Sequence, residues 1–401
     1  MGRVPELRFP EFSEEWREVK LGEISKSSSY GINAASVKYS EELPTYLRIT
    51  DIDDGRFDTN NKVSVNDPDY KNFILQDGDI VFARTGATVG KSYLYNPNDG
   101  LLVYAGFLIK FAIKKEVANP YFIKLYTETS RYWKWVQVSS MRSGQPGINS
   151  KEYAALKLSI PSLPEQQKIA DFLSVVDEKI TLSQEKITRL EAYKKGMMQK
   201  LLSGELRFPG FTDAWREVKL GEVGFFKSGF GFPEREQGGT EGIPFYKVSD
   251  MNNIENSTEM KSANNYVTEE QIRRLKYKPI QEPAIIFAKV GAAIFLERKR
   301  LAKNFLLDNN MMAFIPSDIH NYHFIRYQFD VVRLSKYAQV GALPSYNASD
   351  LKIIKIKLPS LPEQQKIADF LTAIDDKLTL EKERLEALKR YKQGLLQKMF
   401  V

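Results

Sequence analysis

The sequence predicts an α+β fold in which two globular domains are joined by a long antiparallel two-helix coiled coil, with an internal pseudo-two-fold repeat. Three observations predict this fold. The chain repeats one plan twice, each copy ends in a long heptad-patterned helix, and each copy carries a mixed strand and helix insert before that helix. A length of 401 residues also favours more than one core.

Two sequence frames recur in the chain. The first is Trp-Arg-Glu-Val-Lys-Leu-Gly-Glu, which begins at Trp16 and again at Trp215, each time after a Glu-Leu-Arg-Phe-Pro segment. The second is Pro-Ser-Leu-Pro-Glu-Gln-Gln-Lys-Ile-Ala-Asp-Phe-Leu, which is identical at 161–173 and 359–371. The inserts between these frames differ almost everywhere, so we expect a constant frame with variable content.

The second frame begins a helix in each copy. Ser162 and Ser360 precede Glu165 and Glu363 by three residues, which is the spacing of a capping box, and Gly204 provides a stop for the first helix. Apolar residues then recur at alternating four- and three-residue steps, a pattern that indicates a coiled-coil seam. The seam residues are Ile169, Leu173, Val176, Ile180, Ile187, Leu190, Met197 and Leu201, and then Ile367, Leu371, Ile374, Leu378, Leu385, Leu388, Leu395 and Met399.

Polar residues interrupt the two seams at the same two places. Ser183 and Lys194 interrupt the first seam, and Glu381 and Lys392 interrupt the second. A coil that joins separate chains is one interpretation of such a pattern. Two matching seams in one chain favour pairing within the chain, because the local concentration of the second helix is high.

Both inserts are predicted to mix short strands with helices. The predicted strands cover 46–50, 80–83 and 156–160 in the first copy, and 246–249, 285–288 and 353–357 in the second. An aromatic-rich helix is expected near 121–136 and near 322–337.

Basic and amide side chains gather in the loops of both inserts, and a net charge of +7 suits a polyanionic partner. Arg84 and Lys289 follow equivalent strands, where they could bind phosphate or read guanine, and Asn or Gln could read adenine. A solvated basic surface is the alternative for any single residue. The candidate DNA-binding residues are Arg84, Thr85, Lys91, Arg142, Ser143, Gln145, Lys247, Lys289, Arg298, Lys299, Tyr346 and Asn347.

No set of residues for catalysis is found. The segment 86–92 has too few residues between its glycines for a phosphate-binding loop, so a hairpin turn is expected. Asp177 and Asp375 begin Asp-X-Lys triplets, as in some nucleases, but we expect them on the outer face of the helices. His320 and His323 would share one helical face without a third ligand, so no metal site is expected.

Cysteine is absent, which excludes disulfides, thiolate nucleophiles and cysteine-rich zinc sites. The sequence contains no apolar run long enough to cross a membrane and no secretion signal near its start. We therefore expect a cytoplasmic protein that does not bind a membrane.

The duplicated Leu-Pro-Glu-Gln-Gln frame, followed by a long helix and the Trp-Arg-Glu-Val-Lys-Leu-Gly-Glu frame, resembles the type I restriction-modification specificity subunits. The resemblance covers the whole chain. It implies target recognition domains at 1–160 and 204–358, a central conserved helix at 161–203 and a C-terminal conserved helix at 359–401.

The resemblance also implies a non-catalytic subunit that binds an asymmetric two-part site in double-stranded DNA. Two methylation subunits would carry S-adenosylmethionine and methylate adenine, and motor-nuclease subunits would use ATP and Mg²⁺, so this chain would bind no cofactor itself. The repeated frames would dock the methylation subunits. The candidate partner-binding residues are Trp16, Gln166, Gln167, Trp215, Gln364 and Gln365.

Two other functions remain possible from the sequence. A self-contained methyltransferase or nuclease would act on DNA without partners, and a scaffold that binds only proteins would show no affinity for DNA.

Overall fold

The computed structural model describes residues 4–53, 55–141, 145–339, 341 and 343–401. The chain divides into two compact units. Unit 1 consists of Met1–Glu185 with Lys382–Val401, and unit 2 consists of Lys186–Glu381. Each of the two long helices therefore contributes one part to each unit.

Unit 1 is built from short strands followed by short helices. Its strands are β1 (Arg17–Lys20), β2 (Ser25–Tyr30), β3 (Ser36–Lys38), β4 (Thr45–Leu47), β5 (Ile52–Asp53), β6 (Arg56–Phe57), β7 (Val63–Val65), β8 (Asp79–Ala83), β9 (Ser92–Leu94), β10 (Leu102–Tyr104), β11 (Leu108–Ile113) and β12 (Lys157–Ile160). Its short helices are α1 (Pro120–Tyr126), α2 (Ser130–Ser139) and α3 (Ser150–Ala154).

The central sheet of unit 1 has the antiparallel order β2-β11-β8-β9, and a second sheet has the order β10-β4-β7-β3. Strand β8 reads Asp-Ile-Val-Phe-Ala and is buried along its whole length, as expected for an apolar run at the centre of a sheet. Strands β1 and β12 pair at the start of the long helix. Because β12 ends just before residue 161, this pairing brings the first frame next to the start of the second.

α4 (Leu163–Ser203) is the first long helix. Unit 2 then repeats the plan of unit 1. Its strands are β13 (Arg216–Lys219), β14 (Gly224–Ser228), β15 (Ile243–Tyr246), β16 (Tyr266–Val267), β17 (Ala284–Ala288), β18 (Lys299–Ala302), β19 (Leu306–Leu307), β20 (Met311–Pro316) and β21 (Lys355–Leu358). Its helices are α5 (Leu220–Val223), α6 (Glu269–Leu275), α7 (Tyr322–Val331) and α8 (Ala348–Lys352), and α9 (Leu361–Met399) is the second long helix.

The sheets of unit 2 correspond to those of unit 1. The order β14-β20-β17-β18 matches β2-β11-β8-β9, and β13 pairs with β21 as β1 pairs with β12. The second sheet, β16-β15-β19, keeps the parallel pairing that β4 and β10 form in unit 1. The repeat therefore extends into the inserts, where the two sequences differ almost everywhere.

The long helices pair antiparallel within each unit. In unit 1, the first half of α4 and the last turns of α9 join one core, which includes Leu173, Ile180, Leu395 and Met399. In unit 2, Lys194 near the end of α4 contacts Asp375 near the start of α9 at 2.5 Å. The predicted antiparallel coiled coil and the α+β class are thus confirmed.

Several local predictions were wrong. The helix expected at 121–136 is divided into α1 and α2, because the Thr129 side chain caps α2. The helix expected at 322–337 ends at Val331. The strands expected at 46–50 and 246–249 stop early, since short 3-10 helices begin at Ile49 and Val248.

Within the described residues, no helix is long and apolar enough to cross a membrane. Those residues also contain no group of three histidine, cysteine or acidic side chains placed to hold a metal ion. His320 and His323 do not share a helical face as predicted, because Asn321 caps α7 and leaves His320 in the turn before it.

Candidate nucleic-acid interface

In unit 1, two loops that are far apart in sequence meet at the end of strand β8. The Arg84 carbonyl accepts a hydrogen bond from the Ile148 amide at 2.9 Å, and the Gly86 amide donates to the Pro146 carbonyl at 3.0 Å. Thr85 and Gly147 form a β-bridge between these contacts. The structure thus brings together the segment after β8 and the loop before α3, as the loop hypothesis requires.

Unit 2 has the same arrangement at the end of strand β17. The Lys289 carbonyl accepts from the Tyr346 amide at 3.2 Å, and the Gly291 amide donates to the Pro344 carbonyl at 2.8 Å. Gly291 has a φ of +81° and Gly86 a φ of +72°, a region in which glycine is favoured. The two units therefore share one backbone scaffold, which carries an arginine in unit 1 and a lysine in unit 2.

Both strand-end cations are partly buried, and no described carboxylate pairs with either of them. Gln145 is exposed beside the first scaffold, where its Nε2 lies 3.2 Å from the position of a Cβ on Gly86. Arg84, Thr85 and Gln145 are thus brought together. Arg142 and Ser143 lie outside the described residues.

The other predicted DNA-binding cations have partners within their own unit. Lys91 donates from Nζ to the Ile52 carbonyl at 3.1 Å, and Lys247 donates to the Gln237 side chain at 2.6 Å. Arg298 binds the Asn252 side chain at 2.6 Å. These contacts occupy the three side chains within their own units.

Lys299, Tyr346 and Asn347 are also engaged in intramolecular contacts. The Lys299 ammonium is buried and binds Glu297 at 2.9 Å. The Tyr346 hydroxyl donates to the Ala288 carbonyl at 2.6 Å, and the Asn347 side chain caps α8. Their roles in DNA binding stay predictions, and for Lys299 and Tyr346 the observed geometry favours a supporting role.

In each unit, a glutamate of the second frame accepts hydrogen bonds from the first frame and from the segment before it. Glu165 accepts two hydrogen bonds from Arg8, at 2.7 and 2.8 Å, and one from the Trp16 indole at 3.3 Å. Those hydrogen bonds raise the pKa of Arg8 above its ordinary value. The capping-box prediction for this glutamate was wrong, since the first frame, and not the helix terminus, uses its carboxylate.

Unit 2 repeats this contact with its own residues. Glu363 accepts from Arg207 at 2.9 and 2.8 Å and from the Trp215 indole at 3.0 Å. Trp16 is buried, whereas Trp215 is only partly buried. The two predicted tryptophans therefore bind their own helix.

The paired glutamines of the second frame contact the asparagine that caps α1 in unit 1 and α7 in unit 2. The Asn119 amide donates to Gln166 at 2.9 Å, and the Asn119 side chain donates to Gln167 at 2.7 Å. In unit 2, Asn321 makes the same contacts with Gln364 at 3.0 Å and Gln365 at 2.6 Å.

Gln166 and Gln364 are buried, while Gln167 and Gln365 are exposed. Partner binding by the frame residues stays a prediction. The buried members could serve it only by positioning their exposed neighbours.

A cluster of charges, which we name ion joint 1, links helix α1 to both long helices in unit 1. Lys392 contacts Glu128 at 2.5 Å and Asp177 at 2.7 Å, and Lys124 contacts Glu128 at 2.6 Å. The Tyr121 hydroxyl donates to Asp177. Burial alone would raise the pKa of Glu128, but Lys124 and Lys392 outweigh it and hold that pKa below its ordinary value.

Ion joint 2 occupies the equivalent place in unit 2. Asp375 contacts Lys194 at 2.5 Å and Arg326 at 3.1 Å, and it accepts from the Tyr327 hydroxyl at 2.8 Å. Asp330 contacts Arg326 at 3.3 Å, and burial raises the pKa of Asp330. The prediction that Asp177 and Asp375 lie on an outer face was wrong, because each pairs with the lysine that interrupts the opposite seam.

The residues that complete these contacts were not predicted from the sequence. Arg8 and Arg207 belong to the repeated Glu-Leu-Arg-Phe-Pro segments, so the repeat itself was a signal. Asn119 and Asn321 precede equivalent helices in otherwise different inserts. Arg48, which pairs with Asp51 as a capping residue, occupies the place that Lys247 has in unit 2.

Comparison with known proteins gives a match to a family model over most of the chain. The model of the type I restriction modification DNA specificity domain matches residues 13–192 and again 212–390. A relative named the type I restriction enzyme MjaVIII specificity subunit, from Methanocaldococcus jannaschii, is 26% identical over 97% of this chain and 92% of its own length.

Two solved structures have a similar fold. The S subunit of a type I restriction-modification system from M. genitalium aligns with a TM-score of 0.62 at 17% identity, over 99% of each chain. A chain from a structural study of complex assembly and conformational transition of the type I R-M system aligns with a TM-score of 0.53 at 19% identity, over 96% of this chain and 97% of that one.

Proposed function

Because the chain belongs to the type I restriction-modification DNA specificity family, we propose that it recognises an asymmetric two-part sequence in double-stranded DNA, one part through each unit. As a specificity subunit, the chain is a non-catalytic component of its system. In this proposal, partner subunits methylate adenine and restrict unmodified DNA, and this chain directs them to the site.

The observation that carries the proposal is the repeated strand-end scaffold. Arg84 and Lys289 occupy one backbone arrangement, and both lack a carboxylate partner among the described residues. Cations and amides at such loops supply the phosphate and base-edge contacts by which proteins bind duplex DNA. Different side chains on equivalent scaffolds support the reading of two different half-sites.

We place the target recognition domains at 1–160 and 204–358, and the conserved helices at 161–203 and 359–401. The repeated frames would bind two methylation subunits, since a duplicated surface suits two copies of one partner. Motor-nuclease subunits would join this assembly in the cytoplasm. S-adenosylmethionine, ATP and Mg²⁺ would be bound by the partner subunits.

A selection from random duplex DNA tests the proposal. The full chain with its methylation subunits is expected to enrich one asymmetric two-part sequence, and log affinity should fall linearly with log salt. Enrichment of no sequence would contradict sequence recognition. If the chain binds only proteins, no salt-dependent binding to DNA is expected. If it is a self-contained enzyme, the purified chain should methylate or cleave DNA without partners.

A further inference from the structure

Arg84 is held in one orientation by two aromatic rings. Its guanidinium carbon lies 5.0 Å from the centre of the Tyr30 ring and 5.7 Å from the centre of the Phe107 ring. The Tyr30 hydroxyl accepts a hydrogen bond from the Ser150 amide at 3.1 Å, so the start of α3 holds that ring in place. Phe107 is 55% exposed although it is a large apolar side chain.

The backbone of Arg84 is fixed as well. Its amide donates to the Phe107 carbonyl at 3.1 Å, and its carbonyl accepts from the Ile148 amide at 2.9 Å. The side-chain Nε donates to the Gly106 carbonyl at 3.1 Å. The Nη1 and Nη2 groups make no hydrogen bond to any residue that the structure describes, so the outer edge of the guanidinium keeps its donors.

Two other partly buried cations of unit 1 are neutralised by carboxylates. Arg8 is paired with Glu165, and Lys392 is paired with Glu128 and Asp177. Arg84 has no such partner among the described residues, although hydrogen bonds hold its backbone and its Nε. A fixed cation with unused donors at a loop surface is suited to an acceptor supplied from outside the chain.

We propose that Arg84 reads a guanine in the half-site of unit 1, with its two Nη donors directed at guanine O6 and N7 in the major groove. A planar, oriented guanidinium matches this pair of acceptors, which no other base presents. Tyr30 and Phe107 act as positioning residues, because they hold the plane of the guanidinium. The inference rests on the proposed DNA recognition and adds the base and the residue that reads it.

A phosphate contact is the main alternative for a surface cation, and the rings argue against it. A phosphate can be bound by arginine or by a flexible lysine from many directions, whereas guanine O6 and N7 lie in one plane and require donors held in that plane. Lys289 on the equivalent scaffold has no ring within cation–π distance among the described residues. Guanine reading is therefore assigned to unit 1, and unit 2 is expected to use different contacts.

The test compares base preferences of four proteins, each assembled as the full chain with its methylation subunits and selected on random duplex DNA. These are the wild type, Arg84→Lys, Phe107→Ala and, as the matched control on the other scaffold, Lys289→Gln. Arg84→Lys keeps the charge and removes the planar fork. It is expected to reduce the preference for guanine at one position by roughly tenfold or more and to leave the other half-site unchanged.

Phe107→Ala is expected to weaken the preference at the same guanine by a smaller factor, since the fork loses one support. Lys289→Gln is expected to leave that guanine unchanged. Thermal unfolding of each assembled protein checks that a changed preference does not come from lost structure.

Three results would overturn the inference, and they are distinguishable from failure of the proposed function. If Arg84→Lys preserves every base preference, no base is read by this fork. If a further variant that removes the charge, Arg84→Gln, weakens binding to all sequences equally and lowers the salt slope by about one, the residue binds phosphate. If neither half of the sequence that the wild type enriches contains a G·C pair, the guanine assignment is wrong although the proposed DNA recognition stands. Enrichment of no sequence by the wild type would refute both.

Discussion

Ion joints 1 and 2 both connect a globular helix to the long helices, but their ion pairs have different partners. Both units bring a cation and an acid to equivalent positions four residues apart, Lys124 of α1 with Glu128 just beyond that helix, and Arg326 with Asp330 within α7. In joint 1 the acid of this pair contacts the lysine of the coil, whereas in joint 2 the cation contacts the aspartate of the coil. The inserts thus keep the charge pattern that faces the constant frame while most of their sequence changes.

This difference teaches that a coil with one fixed aspartate and one fixed lysine can accept unlike globules. Each joint is largely shielded from water, so removing one charge leaves its partner poorly solvated. The arrangement of ion pairs then determines which charged residue contributes most to the stability of each unit.

The largest expected effect comes from the seam lysines. Lys392→Met leaves Glu128 and Asp177 without their shared cation and should destabilise unit 1 by about 4 kcal/mol. The matched Lys194→Met should cost unit 2 about 2 kcal/mol, because Arg326 still contacts Asp375. Amide hydrogen exchange in α1 and α7 of the full chain measures the loss of stability in both variants. Equal losses would refute the proposed difference between the two sets of ion pairs.

A smaller effect is expected at the frame glutamates. Glu165→Ala leaves the buried Trp16 indole N–H without an acceptor and should destabilise unit 1 by about 3 kcal/mol. Glu363→Ala should cost less, about 2 kcal/mol, because Trp215 is more exposed and can bind water. Urea unfolding followed by tryptophan fluorescence would reveal both, and an unchanged midpoint for Glu165→Ala would contradict this account of the frame.

The acids of the two joints should respond to pH with opposite sign. The pKa of Glu128 is lowered, so its stabilisation is present above its unfolded pKa and is lost as pH falls through the folded value. Glu128→Gln should therefore cost roughly 1.5 kcal/mol at pH 7, and this cost should shrink toward pH 3.

The pKa of Asp330 is raised by burial, so acid should favour the wild type over Asp330→Asn as pH falls through the folded pKa. Unfolding measured between pH 7 and pH 3 tests both variants. Parallel pH dependence of the two variants would refute the comparison.

The smallest effect is expected where the units agree most closely. Asn119→Ala and Asn321→Ala each remove a helix cap and a hydrogen bond to the second glutamine of the frame. Each should cost about 1 kcal/mol. Hydrogen exchange in α1 and α7 should show similar losses, and a large difference between the two would mean that the junctions are not equivalent.

The frame could be predicted from sequence because its signals are periodic and repeated. The seam residues and the stop at Gly204 follow from local spacing, and the antiparallel pairing was expected from the family resemblance. The partners of the frame could not be predicted in this way. Glu165 has the spacing of a capping residue, and only the fold reveals that Arg8 and Trp16 use its carboxylate.

The candidate site was partly predictable for a related reason. Arg84 and Lys289 follow strands with a clear apolar pattern, so their equivalence was visible in the sequence. Neither the contact of Arg84 with Tyr30 nor the burial of Lys299 leaves a local signal, because each depends on residues distant in sequence. Asp177 and Asp375 were misplaced because their partners lie on the opposite helix.

The most direct test of the central claim is a map of methylated adenines in a genome that carries this chain with its partner subunits. Two unlike readers on a repeated frame predict methylation within a single asymmetric motif of two parts separated by a fixed gap. A continuous motif, or a symmetric one with identical halves, would contradict the account.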